Sequence, residues 1–357
     1  MKQRKSRVLA VTAVGVAALF AATACSSSSS SSSSGTTATG SSKSLTTISF
    51  LTNYISTQEY TALVYGEDQG YFADAGVKVD LEYGSGSSTT AAALGAGKAD
   101  MGDVAASVLA ISVGQGVPIT GVASLEGRNT YGFIVPTSSG ITSVAGMKGK
   151  SVLVSTGTAQ ETLMPAVLKA AGLSTSAVSE TTVAASARVS SYKEGKGDAT
   201  AEVLPSELAI IGSSRPSAAI SWSSYLAIPS SVFVVNNSYL SAHASTVREF
   251  LTAYYRSLTA AFKNESAADA AYAKSEPLQD ATANAQAWSN WKSYICSSAQ
   301  TSSGETLGYP NTSDWTNLLK FAQSYEGVPN SVTLKDLVTD EFFTGSDSVS
   351  STSCSGF

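Results

Sequence analysis

Beyond residue 45 the apolar positions follow two alternating rhythms. Ile48 and Phe50 alternate with polar neighbours, which predicts a strand over 47–52. Ser56-Thr57-Gln58-Glu59 reads as a capping box, with Tyr60, Leu63 and Val64 on one helix face behind it. Val77, Val79, Leu81 and Tyr83 alternate again and predict a second strand. A Gly/Ser turn at 84–88 leads into a short helix ending at Leu94. A strand over 98–103, a helix over 105–113 and a strand over 119–124 follow. This succession predicts a parallel sheet with helices on both faces.

The programme then restarts. A strand over 150–154, a turn at 155–158 and a helix over 160–171, stopped by Gly172, are predicted. Pro165 inside that helix predicts a kink or a late start. A helix ending at 189–194 and a strand over 199–203 complete the unit. Gly97-Lys98-Ala99-Asp100 lines up with Gly195-Lys196-Gly197-Asp198, each between a helix and a strand. This weak repeat suits two lobes of similar build. The β-rich runs 131–135 and 232–236 are expected to be crossover strands that join the lobes. Val247, Phe250, Leu251, Tyr254, Leu258 and Phe262 mark one face of a C-terminal helix, as core packing.

The start of the chain has a different character. Lys2, Arg4, Lys5 and Arg7 precede an apolar run over 8–20 and the small residues Ala22-Thr23-Ala24. That is the layout of a secretory signal, and the run is short for a bilayer span. Ala22-Thr23-Ala24-Cys25 resembles a bacterial lipobox, although Ala22 stands where Leu is usual. The resemblance implies cleavage before Cys25 and acylation of its thiol. The serine run 26–34 has the composition of a flexible tether. The expected organisation is a signal peptide at 1–24 and a lipidated Cys with its tether at 25–45. Lobe 1 is expected over 46–130 plus 232–357, and lobe 2 is inserted over 131–231.

Removing the signal lowers Lys plus Arg from 22 to 18 against 27 Asp plus Glu, a net charge of −9. That acidity argues against a nucleic-acid partner and leaves membrane attachment to the lipid alone. Cys296 and Cys354 form an even pair in an exported chain, either as a disulfide or as two free thiols.

Catalytic motifs are sparse. His243 is the only histidine, and no GxGxxG, GxxxxGK[ST] or HExxH occurs. Carboxylates near the expected cleft, Asp103, Glu126, Glu161 and Glu202, have no spacing that singles out a catalytic pair. No catalytic residue, metal ligand or cofactor is expected.

Four stretches together resemble the nitrate, sulfonate and taurine type of periplasmic binding protein, a group similar in fold to thiamine-pyrimidine synthases. Residues 70–79 are similar to its GYF…GlxV element, 96–102 to GxxDxG, 144–152 to dLkGKkV and 195–199 to GxvDA. The resemblance implies a type II fold: two hinge-linked α/β lobes with parallel or mixed sheets, closing on a solute. It also implies an extracytoplasmic role for an ABC importer, with a permease and its ATPase as partners and the protein itself a monomer. Two alternatives remain: a thiamine-pyrimidine-synthase-like enzyme and a ligand-sensing surface lipoprotein.

Ligands in such sheets sit at the carboxyl ends of the strands. Those ends are Asn53 and Tyr54; Gly84, Ser85 and Gly86; Gly102 and Asp103; and Ser124 and Glu126. In the inserted lobe they are Ser155, Thr156, Gly157 and Thr158, with Glu202 ending the later strand. The segments 84–88 and 155–158 precede helices, so their backbone N–H groups could cradle an anion or a polar group. Glu161 is expected to complement its helix dipole instead. Arg128 is the only Arg expected near the cleft, whereas Asp103, Glu126 and Glu202 suit an amine or a ring N–H. Tyr54, Tyr83 and Trp222 are candidates for stacking on a ring. The solute class stays open among sulfonate or taurine, nitrate and nitrogenous heterocycles, with a small nitrogenous or zwitterionic molecule favoured over nitrate.

Overall fold

The computed structural model describes residues 44–357. The signal, Cys25 and almost all of the tether lie outside the described residues.

Ten strands build two five-stranded sheets. In chain order they are β1 (Thr46–Leu51), β2 (Val77–Glu82), β3 (Met101–Ala105), β4 (Ile119–Glu126) and β5 (Tyr131–Pro136). Then follow β6 (Ser151–Val154), β7 (Ser179–Thr182), β8 (Ala199–Val203), β9 (Ser217–Ser221) and β10 (Ser231–Asn236). The first sheet runs β2-β1-β3-β10-β4 and the second β7-β6-β8-β5-β9. Each is parallel except for one strand. β10 is antiparallel to β3 and β4, and β5 is antiparallel to β8 and β9. Both sheets are therefore mixed, within the expectation of parallel or mixed sheets. Each odd strand is the first one laid down after the chain crosses from the other sheet.

The two sheets share one topology, and the alignment of Asp100 with Asp198 has a physical basis. The Asp100 carboxylate accepts from the Ser49 backbone N–H and hydroxyl, both at 2.9 Å. Asp198 accepts from the same two groups of Ser151 at 2.8 and 2.9 Å. Each aspartate ties the turn before its strand to the neighbouring strand. β5 and β10 do not join the lobes as expected. Each lies wholly within one sheet, and the chain crosses in the loops 127–130 and 222–230.

Three local expectations are corrected. The Ser56 capping box does not form: its hydroxyl bonds the Tyr272 hydroxyl at 2.7 Å, and Thr57 heads a short 3-10 turn instead. The helix Ala159–Ala170 runs through Pro165, so of the two outcomes expected there the late start does not occur. The strand expected from 98–103 runs Met101–Ala105, because the Lys98 N–H still closes the preceding turn on the Ala93 carbonyl.

The long helix Asn237–Lys263 buries all six residues of its expected stripe. Phe250 stacks on Phe50 at 5.4 Å, and Tyr254 meets Phe233 edge-on at 4.7 Å, which fixes the helix to the first sheet. Each such side chain contributes roughly 1.5–3 kcal/mol of apolar burial. His243 breaks the helical dihedrals near its start and packs on the Tyr239 ring at 4.6 Å. Near the C-terminus the sulfurs of Cys296 and Cys354 lie 2.06 Å apart, within bonding distance.

Candidate functional site

The strand tips of both sheets face each other across a cleft, and one cavity lies between them. It offers about 500 Å³ unfilled by atoms, its open rim included. Asn53 and Tyr54, after β1, line it together with Gly86, Glu126 at the end of β4, and Thr158. The lobes meet at its edges. The Ser88 N–H donates to the Gly157 carbonyl at 3.4 Å, and the Tyr54 hydroxyl to the Ala185 carbonyl at 3.4 Å.

Other expected site residues have different work. Gly84 and Gly102 are packing positions, since a Cβ at either would lie 2.2 Å from the carbonyl oxygen of Thr52 or Leu51. Ser124 faces the C-terminal region, where its hydroxyl accepts from Trp315 Nε1 at 3.3 Å. Asp103 lies beneath the cavity floor and accepts from the Asn53 N–H at 3.2 Å, which positions Asn53. Ser85, Ser155 and Thr156 line a separate shallow recess with Ile55 and residues 182–186. Glu202 is consumed by Arg188, with bonds of 2.8 and 2.6 Å.

The anion cradle expected at 155–158 is already filled. Glu161 Oε2 accepts from the Gly157 N–H at 2.7 Å, and the Thr158 hydroxyl donates to the Ser155 carbonyl. The helix supplies its own carboxylate where a ligand anion would sit.

Sequence reasoning missed several residues of the cavity wall: Thr57, Glu59, Thr130, Tyr131, Gln160, Ser206 and Glu207. Glu59 was hidden because its spacing from Ser56 suited a cap. Glu207 was hidden because an acid in the first turn of the helix Leu204–Ile211 reads as a dipole partner. Arg188, in the helix Ala185–Lys193, was also missed, and it replaces Arg128 as the arginine beside the site. Arg128 lines another recess with Ser223, Leu226, Ser297 and Asp314. Of the three ring candidates only Tyr54 lines the cavity. Trp222 is buried against Phe133 at 5.0 Å, and Tyr83 donates to Glu276 at 2.8 Å.

The electrostatics of the wall are one-sided. Glu59, Glu126 and Glu207 are buried, and among the described residues no basic side chain lines the cavity with them. None of the three forms an ion pair among the described residues. Burial pushes Glu126 and Glu207 up to about 8, helped by Glu59 at Glu126 and by Glu202 at Glu207. Burial also raises Glu59, and raises Asp103 well above the usual carboxylate range. For Arg188 burial works against the charge, but Glu202 and Tyr54 outweigh it, so the guanidinium holds its proton more firmly than usual. Such a wall accepts N–H groups and positive charge. Among the described residues no group of three or more His, Cys, Asp or Glu converges as a metal site would require.

Comparison with known proteins places the chain among related sequences and folds. The sequence profile of a family described as NMT1/THI5 like matches residues 57–268, more than half of the chain. The 4-amino-5-hydroxymethyl-2-methylpyrimidine phosphate synthase of Aspergillus parasiticus is 32% identical over 110 residues, 30% of this chain and 32% of that protein. The enzyme of the same name from Schizosaccharomyces pombe is 29% identical over 109 residues, again 30% of this chain and 32% of that one. The chain thus matches about a third of the length of these curated relatives.

Several similar solved structures are named as binding proteins or ligand-binding components. The alkanesulfonate-binding protein SsuA of Xanthomonas axonopodis pv. citri, bound to MOPS, superposes with a TM-score of 0.65 at 16% identity, over 82% of this chain and 98% of that one. The periplasmic nitrate-binding protein NrtA of Synechocystis PCC 6803 gives 0.67 at 13% identity, over 86% and 92%. The ligand-binding component of an ABC-type import system from Staphylococcus aureus, with zinc bound, gives 0.64 at 11% identity, over 83% and 97%. At these identities the likeness establishes the fold, a two-lobe periplasmic-binding-protein fold of type II.

Proposed function

The chain belongs to the NMT1/THI5-like family, and on that premise we propose that it is the extracytoplasmic solute-binding component of an ABC importer. It captures a small nitrogenous organic solute between its lobes and presents it to a permease. The observation that carries the solute class is the cavity wall, with Glu59, Glu126 and Glu207 and, among the described residues, no basic side chain. The sulfonate and nitrate named for the structural neighbours are anions. At this wall an anion would meet carboxyl groups and no lining cation to pair with.

The reading extends to the start of the chain. Cys25 is the lipidated residue, and the serine run holds the lobes off the outer membrane leaflet. The full chain is expected in the membrane fraction, and a Cys25→Ser variant in the soluble one.

Thermal shift and calorimetry on the chain from Ser44 onward test the solute class. Amines and aminomethyl heterocycles are expected to stabilise the protein, since a ligand at 100 times its Kd adds about 2.7 kcal/mol. Nitrate and alkanesulfonates are expected to have no effect. Tight binding of nitrate would overturn the reading. The similarity to the pyrimidine phosphate synthases favours a second, enzymatic reading, which expects the bound compound to be altered. Recovery of the solute unchanged after incubation rules that reading out.

A further inference from the structure

The three carboxylates are not equivalent. Glu126 is held by the protein: Trp291 Nε1 and the Thr130 hydroxyl donate to its two oxygens. Glu59 and Glu207 form no ion pair among the described residues, and Glu59 has only the Tyr60 and Thr57 hydroxyls beside it to favour its charged form. The two glutamates stand on opposite sides of the cleft. Glu59 follows β1 of the first sheet, and Glu207 follows β8 of the second. Both line the same cavity, and both are more than nine-tenths buried.

Two further observations bear on what lies between them. Among the described residues no three His, Cys, Asp or Glu converge as a metal site would require. The Thr57 hydroxyl, buried in the same wall, has no hydrogen-bond partner, and its natural partner is a ligand atom. Of the remaining charged groups around the site, Asp103 accepts from Asn53 and Ser231, and Arg188 is bound to Glu202 through Nε and Nη2 while its buried Nη1 has no partner. The Lys193 ammonium is bound to the Ile210 carbonyl at 2.7 Å.

We propose that the solute is a short organic dication carrying two separated ammonium or amidinium-type heads, one held by Glu59 and the other by Glu207. This rests on the nitrogenous reading of the cavity and narrows it. Its mechanical consequence follows from charge. With the cleft empty, burial favours the neutral, protonated form of both groups. A ligand with a positive head at each end favours the ionised form instead and makes two charge-assisted hydrogen bonds, one per lobe. A monoamine satisfies one lobe only and leaves the other carboxylate buried and unpaired. The ligand is thus the counter-ion that makes closure favourable, and its length is read by the span between the two glutamates.

The test uses calorimetry on the chain from Ser44 onward, with short α,ω-diaminoalkanes, n-alkylamines of matched length, and nitrate and methanesulfonate. The best diamine is expected to bind at least about tenfold tighter than its matched monoamine, the factor that roughly 1.4 kcal/mol supplies. Glu207→Gln and Glu59→Gln are each expected to weaken the diamine at least about tenfold while bringing diamine and monoamine to equal affinity. If Glu59→Gln fails to fold, Glu59→Asp, which keeps the charge and shortens the reach, is expected to shift the preference to a longer diamine. Equal binding of monoamine and diamine to the unsubstituted protein would overturn the two-headed ligand while leaving the nitrogenous reading intact. Binding of the anions alone would overturn both, as would failure of every amine to bind.

Discussion

At the scale of single residues, Arg188 and Glu202 decide how much charge the site can carry. Their side chains are 1% and 0% exposed, and two hydrogen bonds join them. The guanidinium also reaches the Tyr54 hydroxyl at 3.5 Å and lies 5.9 Å from that ring, so it braces a cavity residue of the opposite lobe. A buried pair contributes little net stability when intact, because desolvation offsets the attraction, but removing one partner strands the other. Arg188→Met is therefore expected to lower the unfolding free energy by about 3–5 kcal/mol. Adding Glu202→Leu is expected to restore most of it. Urea unfolding of the two variants checks this. A double variant no more stable than the single one would show that the cost lies in packing rather than in the stranded carboxylate.

At the scale of elements, the end of the helix Ala281–Ile295 holds the first crossover. The Gly127 N–H donates to the Ile295 carbonyl at 2.8 Å, and the Arg128 N–H to the Tyr294 carbonyl at 3.0 Å. Gly127 has no room for a side chain, since a Cβ would lie 2.1 Å from Gln300 Oε1. Cys296 follows immediately, with its Cα 5.8 Å from that of Cys354 and 58 residues away in sequence. A covalent link there would fasten the C-terminal segment to the root of the hinge. Closing a loop of that length stabilises by about 4 kcal/mol in the chain-entropy model. Cys354→Ser is expected to lower the unfolding free energy by about that amount, read as a fall in the urea midpoint. No change between oxidised wild type and variant would mean that the thiols are unlinked in solution.

At the scale of the whole molecule, the buried acids set a dependence on pH. Glu126 and Glu207 sit at about 8 in the folded chain against an ordinary 4.5. Between those values the folded state holds more protons than the unfolded one, so stability falls as pH rises. The contribution is complete below about 4.5 and lost as pH passes through about 8. The ligand-free melting temperature is expected to drop by several degrees between mildly acidic and mildly alkaline buffer. Glu207→Gln is expected to flatten that slope. A melting temperature independent of pH over this window would show that these carboxylates are solvated. Exposed acids held low by hydrogen bonds, such as Asp198, act only at lower pH and with the opposite sign.

Local pattern was enough to read most of the elements, because strand and helix periods are written in near-neighbour polarity. The strand Ala199–Val203 and the buried stripe of the helix Asn237–Lys263 follow from spacing alone. The repeated Gly-Lys-x-Asp turn follows too, and its two aspartates make the same bonds in both sheets. The site was legible only in part. Asn53, Tyr54, Gly86, Glu126 and Thr158 reach the cavity because strand tips point there in any sheet of this kind. Whether a charged group at the cleft is free or spent depends on contacts between distant segments. Glu202 looked available until the helix Ala185–Lys193 laid Arg188 against it, and the 155–158 cradle looked open until Glu161 filled it. Glu59 and Glu207 lie far apart along the chain, and only the folding of one lobe over the other brings both into the wall of one cavity.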